Sequence, residues 1–522
     1  MPTDGNAKEA ALQVIVLCPF TCSRIIQLFT ARTNSDQGSG GGPIESNTTS
    51  FLVRSVSQDW RKGSVIGVDA GVHLSVIVRI LRETLPSPLP SSPYTVTKGP
   101  FAGLSLPYKT PEANAGYITS SLVEAYLITH PHLDHIAGFV VNTAGPPGAR
   151  PKKLAGLPST INAFKTHIFN NVIWPNLSDE SNGAGLVTYL RLVEGGSPAL
   201  GDGEGKGYSE ICDGLLVKIW GVSHGHCMEK HSHRGSVSSA SGHETATFAT
   251  PRRETRGSHA TQRRQSLLSH SSFGGGSPGV ESEQYCVYDS SAYFIQDEAR
   301  RREVLIFGDV EPDSISLSPR NLHIWQEAAP RIVSGSLAAI FIECSYDDSR
   351  SNDRLFGHLK PVFVMEELRV LAAEVAAARR TQHIQQEPSK KRKRMGHEGP
   401  VSRLVPRHAS GGESTSPKSS SELGGSSEQR SSSRRRRLEH TEQPELVHPL
   451  AAQDGIMCPP CSAPESKRLL VGLKVIIIHV KEKMIDEPDV GETILEELLA
   501  HEKEMQLGCE FHIAKSGQSF YF

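Results

Sequence analysis

The stretch Thr129-His130-Pro131-His132-Leu133-Asp134-His135 constrains this chain more than any other. Four side chains able to ligate a metal follow directly on the apolar run Val123–Thr129. Neutral imidazoles and carboxylates suit zinc, and also manganese or iron. A strand end followed by a tight turn fans such side chains into one concavity. The pair His130/His132, spaced i and i+2, projects to one side, and Asp134/His135, beyond the turn, reach a second position. That geometry suits two metal ions sharing one bridging water. Chance rarely places such a cluster at a strand end, so a surface histidine patch without a role is set aside.

The rest of the chain alternates strand and helix signals. Leu12–Leu17, Thr49–Val53, Ser64–Val68, Leu215–Val222, Glu303–Phe307, Leu337–Ile342 and Leu473–His479 read as strands. Pro361–Ala377 and Gly491–Met505 carry helical periodicity. The pattern predicts an α/β protein in which helices cover packed sheets. Two segments, 228–283 and 381–466, are rich in Ser, Gly and Arg and have no hydrophobic period. Neither can bury enough surface to offset its ordering entropy, so both read as disordered inserts in one domain spanning 1–522. The stretch Phe20–Gly38 separates a strand from a Gly-rich turn that should follow closely. A real insertion and a gene-model error both remain open there.

Composition excludes several classes. Lys+Arg is 55 and Asp+Glu 57, a near-balance that gives no overall drive toward nucleic acid or an anionic membrane. No apolar run is long enough to span a bilayer. The N-terminus has no basic lead-in and no small-residue cleavage site, so a secretory signal is not expected. Nine scattered cysteines fit reduced thiols better than a disulfide framework, which points to the cytoplasm. Cys458-Pro-Pro-Cys461 is a lone CxxC without a partner pair. The run Lys390–Arg394 offers a nuclear import signal, which would add a nuclear location.

The residues around the cluster extend it. His130-Pro-His-Leu-Asp-His-Ile-Ala-Gly138-Phe-Val-Val-Asn-Thr-Ala144 resembles the motif of class-II cyclic-nucleotide phosphodiesterases, the low-affinity cAMP phosphodiesterases common in fungi, within the metallo-β-lactamase superfamily. Gly41-Gly42-Pro43-Ile44-Glu45-Ser46-Asn47-Thr48-Thr49-Ser50-Phe51-Leu52-Val53 resembles their N-terminal motif. Phe139 and Thr143 depart from the strictest form but only flank the ligands. The resemblance covers almost everything outside the inserts and Phe20–Gly38. It implies a four-layer αββα sandwich with two divalent ions, zinc first among them. The implied reaction is hydrolysis of 3′,5′-cyclic AMP to the 5′-monophosphate by a metal-activated hydroxide, with cyclic GMP left open.

The same resemblance assigns the other positions. Asp69-Ala70-Gly71 matches a DxG turn whose Asp orients the His-rich loop. Either His224 or His226 supplies a third histidine, with His224, directly after its strand, preferred. Asp309 would bridge both ions, and His479 would be the last ligand. Metal one would then rest on His130, His132, His224 and Asp309; metal two on Asp134, His135, Asp309 and His479. Asp134, His358 and Glu343 are the expected catalytic residues. His358, in Phe356-Gly357-His358-Leu359, would donate a proton to the leaving oxygen or bind the phosphate, and Glu343 would orient it.

Arg252-Arg253-Glu254-Thr255 and Arg263-Arg264-Gln265-Ser266 match the pattern of basophilic kinases, including the cAMP-dependent kinase. Phosphorylation at Thr255 and Ser266 would add about −1.5 to −2 charges each. Unchanged peptide masses after kinase treatment would contradict this. The apolar stripes of 361–377 and 491–505 suit either the core or a homodimer face. Two other readings compete. A tRNA 3′-end nuclease of the same superfamily would carry an RNA-gripping arm, which cannot be identified here. A non-catalytic scaffold acting through its basic inserts would normally have lost ligands, yet every position has a candidate. The basic tracts lack interleaved aromatics, so stacking recognition of nucleic acid is not expected.

Overall fold

The structure is a computed structural model that describes residues 9–17, 41–45, 47–86, 88, 91–144, 150–200, 207–226, 287–386, 468–485 and 489–522. The kinase sites Thr255 and Ser266, the Cys458/Cys461 pair, the Lys390–Arg394 run and nearly all of both inserts lie outside them, as does Phe20–Gly38. The described residues belong to one unit formed by 1–386 and 464–522.

The strands follow from apolar runs, buried on both faces in the central strands and partly exposed in the edge strands. In chain order these are β1 (Leu12–Val16), β2 (Ser50–Ser55) and β3 (Val65–Ala70), a short hairpin β4 (Tyr94–Thr95) and β5 (Ser105–Leu106), then β6 (Val123–Leu127), β7 (Lys152–Gly156) and β8 (Val187–Arg191). The second half contributes β9 (Ser209–Cys212), β10 (Leu215–His226), β11 (Val287–Asp297), β12 (Glu303–Phe307), β13 (Leu337–Glu343), β14 (Lys474–Ile478), β15 (Glu510–Ile513) and β16 (Ser519–Tyr521). They make two seven-stranded sheets, ordered β16-β1-β2-β3-β6-β7-β8 and β15-β14-β13-β12-β11-β10-β9.

Side-chain alternation explains the layers. Leu12, Val14 and Val16 of β1 point to the inner face, with Phe51, Val53, Ile66 and Val68. They meet Ile219, Tyr293, Ile295, Ile306, Phe341 and Ile476 from the second sheet. Each such residue contributes roughly 1.5–3 kcal/mol by leaving water, which is why both sheets are apolar inside. Ile15 and Leu52 point outward and are covered by α1 (Leu74–Thr84), α2 (Pro111–Tyr117), α3 (Leu133–Asn142) and α4 (Pro158–Ala163) through Ile77, Ala115, Phe139 and Ile161. The second sheet's outer face is covered by α5 (Asn321–Ser334), α6 (Pro361–Gln386) and α7 (Val490–Met505), through Trp325, Leu368 and Ile494. The α7 start is fixed by Asp489, whose side chain accepts from Gly491 N and Glu492 N. This is the expected four-layer αββα sandwich.

Two sequence expectations need correction, and one left open between core and dimer face is met on the core side. The helix read as Pro361–Ala377 continues to Gln386, so residues 381–386 are helical and not part of an insert. The apolar stripes on α6 and α7 pack into the core through Val364, Leu371 and Leu498. The stretch after His132 is no tight turn: α3 starts at Leu133, so Asp134 and His135 lie in its first turn. Among the described residues no helix is long and apolar enough to cross a membrane.

Candidate metal centre

Strands β3 and β6 run parallel, as do β12, β13 and β14. Their C-terminal ends therefore share one edge of the sandwich, and the polar residues follow there. Asp69 is the penultimate residue of β3, His130 follows β6, Asp309 follows β12, Glu343 closes β13 and His479 follows β14. β10 delivers His224 to the same edge. The side chains of His130, His135, His224, Asp309, His358 and His479 are all buried.

Two groups form around Asp309, one per carboxylate oxygen. Asp309 Oδ2 lies 3.6 Å from His130 Nε2 and 3.5 Å from His224 Nε2. His132 Nδ1 stands 3.0 Å from His130 Nε2. On the other side, Asp309 Oδ1 lies 3.3 Å from both His135 Nε2 and His479 Nε2. Asp134 Oδ2 completes that group, 3.6 Å from His135 Nε2 and 3.3 Å from His479 Nε2. Ligand atoms around a tetrahedral cation bound at about 2.0–2.1 Å lie about 3.4 Å apart, close to these spacings.

The surrounding hydrogen bonds set each imidazole tautomer. Thr129 Oγ1 donates to Asp69 Oδ2 (2.9 Å) and so accepts from His130 Nδ1–H (3.0 Å). His135 Nδ1–H donates to Asp69 Oδ2 at 2.8 Å. His224 Nδ1–H donates to Gly357 O at 2.9 Å. Ser345 Oγ donates to Glu343 Oε2 (2.7 Å) and accepts from His479 Nδ1–H (3.1 Å). Four imidazoles thus turn an Nε2 lone pair toward Asp309, the outer-shell arrangement that prepares histidines as ligands. Asp309 Oδ1 is buried and forms no hydrogen bond among the described residues. A buried orphan oxygen facing lone pairs is costly alone and satisfied by a cation. The donor set therefore fits two divalent ions.

Electrostatics agree. Burial alone would raise the Asp309 carboxyl, but the imidazoles of His479 and His135 hold it well below the usual carboxylate range. Burial would lower His135, yet Asp309, Asp69 and Asp134 together push it well above the ordinary imidazole value. The site thus favours positive charge, which a bound cation would supply in place of the proton on His135 Nε2. Burial lowers His130, and lowers His224 to about 4, keeping both neutral as ligation requires.

Beside the two groups, His358 Nδ1 lies 2.8 Å from Glu343 Oε1. Its ring stacks on His479 with centroids 5.2 Å apart. Glu343 is fully buried and also accepts from Val310 N and Leu359 N. Gly357, at φ +81°, lets this turn touch β10: a Cβ there would sit 2.5 Å from His224 O.

The structure thus brings together every residue singled out as a ligand or catalytic group. His226 is exposed and joins neither group. Sequence reasoning missed Ser345, which holds His479; its signal was its spacing two residues after Glu343 on one strand end. It also missed Lys481 and Glu482 beside the centre, which carry no spacing signal.

The layered architecture and the His/Asp edge define a metallo-β-lactamase-type protein. The crystal structure of unliganded yeast PDE1 has this fold: 19% identity, TM-score 0.52, covering 98% of this chain and 100% of that one. The model of the class-II cAMP phosphodiesterases matches residues 29–195, 273–389 and 457–517, well over half of the chain. The chain belongs to that family. A 3′,5′-cyclic-nucleotide phosphodiesterase of Schizosaccharomyces pombe is 28% identical over 344 residues, 65% of this chain and 74% of that protein. One from Candida albicans is 28% identical over 367 residues, 65% of this chain and 81% of the relative.

Proposed function

We propose that this chain hydrolyses 3′,5′-cyclic AMP to 5′-AMP at the centre around Asp309, using two divalent ions, zinc by preference. The observation that carries this is the division of one buried carboxylate between two ligand groups. His130, His132, His224 and Asp309 would hold one ion; Asp134, His135, Asp309 and His479 the other. Imidazole nitrogen and carboxylate oxygen at this spacing suit zinc. Bound there, two such ions would supply an acidified water at neutral pH and neutralise charge on the phosphate.

The chain's own groups do the rest. Asp69 and Thr129 fix the His-rich segment, and Ser345 fixes His479. Burial holds the free His358 imidazole down near about 3, so it meets the substrate neutral. A phosphodiester anion arriving beside it would favour uptake of a proton from solvent at Nε2, and Glu343, 2.8 Å from Nδ1, would stabilise the imidazolium so formed. His358 is thereby placed to pass a proton to the leaving 3′ oxygen. The apolar core beneath the centre keeps bulk water to one side.

Asp134 gives the test. Its side chain is one-third exposed and belongs to only one group, so Asp134→Ala should leave the fold intact. Turnover of cAMP is expected to fall about a hundredfold or more. Near wild-type turnover with an unchanged circular dichroism spectrum would contradict the assignment.

A further inference from the structure

Tyr126 and His73 are a polar pair in the apolar layer between the first sheet and its helices. Both are buried, and Tyr126 belongs to the cluster of Ile77, Leu81, Phe139 and Ile161. Glycines make the room for them. A Cβ at Gly67 would lie 2.5 Å from the Tyr126 ring, and one at Gly138 would lie 2.7 Å from His73 Nδ1. The Tyr126 hydroxyl stands 3.2 Å from His73 Nε2, and His73 Nδ1 stands 3.4 Å from Gly71 O. A carbonyl can only accept, so Nδ1 carries the imidazole proton and Nε2 accepts from the hydroxyl. Burial holds the imidazole down at about 4 and raises the hydroxyl, so both remain neutral. Two such groups in an apolar layer carry a desolvation cost that Phe and Leu would not.

The pair reaches the metal centre through the backbone. The carbonyl of Gly71 receives His73, its N–H donates to Thr49 O at 3.0 Å, and Thr49 N donates to Asp134 O at 3.0 Å. Val72 N donates to Thr48 Oγ1 at 2.6 Å, which fixes the other side of the same turn. A Cβ at Gly71 would lie 2.4 Å from Asp134 O, so turn and helix touch there. Gly138, against the His73 ring, lies one helical turn beyond Asp134 on α3. The start of α3 therefore rests on the turn after β3 at two points, and the imidazole supports the second. Resting on the two-ion reading above, we propose that Tyr126 and His73 are positioning residues for the ion assigned to Asp134, His135, Asp309 and His479. The hydroxyl fixes the imidazole, the imidazole fixes the Gly71 carbonyl and α3, and these set where Asp134 and His135 stand. His130 and His132 precede α3 and His224 comes from β10, so the other ion does not depend on the pair.

The test uses the full-length, zinc-loaded protein titrated with a chelator, with bound zinc counted by mass spectrometry and Tm measured in parallel. Tyr126→Phe keeps the ring and removes one hydroxyl. It leaves His73 Nε2 buried without a donor, which should lower Tm by roughly 2–4 °C. One of the two ions should leave at about tenfold lower chelator concentration, and the other as in wild type. Combining Tyr126→Phe with His73→Leu separates positioning from packing. Most of the lost Tm should return, because neither an imidazole nor a hydroxyl is left unpaired. The weakened ion should stay weak, since no side chain then holds Gly71 O. A merely structural pair gives the opposite pattern, ion retention that follows Tm and recovers in the double variant. That pattern, equal weakening of both ions, or wild-type retention in Tyr126→Phe would overturn the positioning role alone. A wild-type chain that takes up fewer than two zinc ions would overturn the two-ion reading and the positioning role with it.

Discussion

Replacing Asp309 with alanine is expected to abolish cAMP hydrolysis and to reduce bound metal from two ions per chain to one or none. Among the described residues no other takes part in both groups: Oδ2 faces His130 and His224, and Oδ1 faces His135 and His479. Losing it removes the carboxylate that would hold both ions to one geometry. The several kcal/mol that paired cations supply corresponds to about a thousandfold or more in turnover. Asp309→Asn separates charge from shape. It keeps the side-chain volume but leaves one oxygen, so it too should fail, with stability close to wild type. Turnover assays and metal content by mass spectrometry check both variants. Two ions bound and activity within tenfold of wild type in Asp309→Ala would contradict the shared-carboxylate account.

Gly138→Ala should have the second large effect, on folding. Gly138 lies in α3, where a Cβ would be placed 1.7 Å from Gly71 O and 2.9 Å from Gly71 C. These are backbone atoms and cannot swing aside. The turn after β3 and the helix that carries Asp134 and His135 meet here backbone to backbone. Thr49 N donates to Asp134 O at 3.0 Å and Gly71 N to Thr49 O at 3.0 Å, so the Gly41–Val53 segment is tied into the same contact. Overpacking against an unyielding neighbour costs about 3 kcal/mol or more, which lowers Tm by roughly 5 °C or more. The shifted helix should also weaken metal retention. Thermal unfolding checks it, and an unchanged Tm would show that the contact relaxes.

The sequence made the sandwich legible because its strands are long apolar runs, and the centre legible because its donors follow those runs. What it hid has physical causes. Leu74–Thr84 is rich in Val and Ile, which argue for a strand until packing on the first sheet selects helix. Asn321–Ser334 is interrupted by Pro330, the usual sign of a helix end. The helix starting at Leu133 is short and contains His, Asp and Gly, poor formers; Ile136 and Phe139 hold it by burial in the core. The choice between His224 and His226 was not legible either, since i and i+2 on a strand point the same way. The register of β10 against β11 shifts between Ser223 and His226, and Gly225 takes φ +78°, so one histidine turns inward and the other remains exposed. Hydrogen-bond partners far apart in sequence, such as Ser345 and His479, meet only through the parallel pairing of β13 and β14.

The most direct measurement is release of nucleotide from 3′,5′-cyclic AMP by the purified full-length chain, before and after chelation and after zinc is restored, with 5′-AMP and 3′-AMP resolved by chromatography. The account expects 5′-AMP alone, lost on chelation and recovered with zinc. Hydrolysis that survives complete metal removal, or no hydrolysis by protein carrying two bound ions, would contradict it.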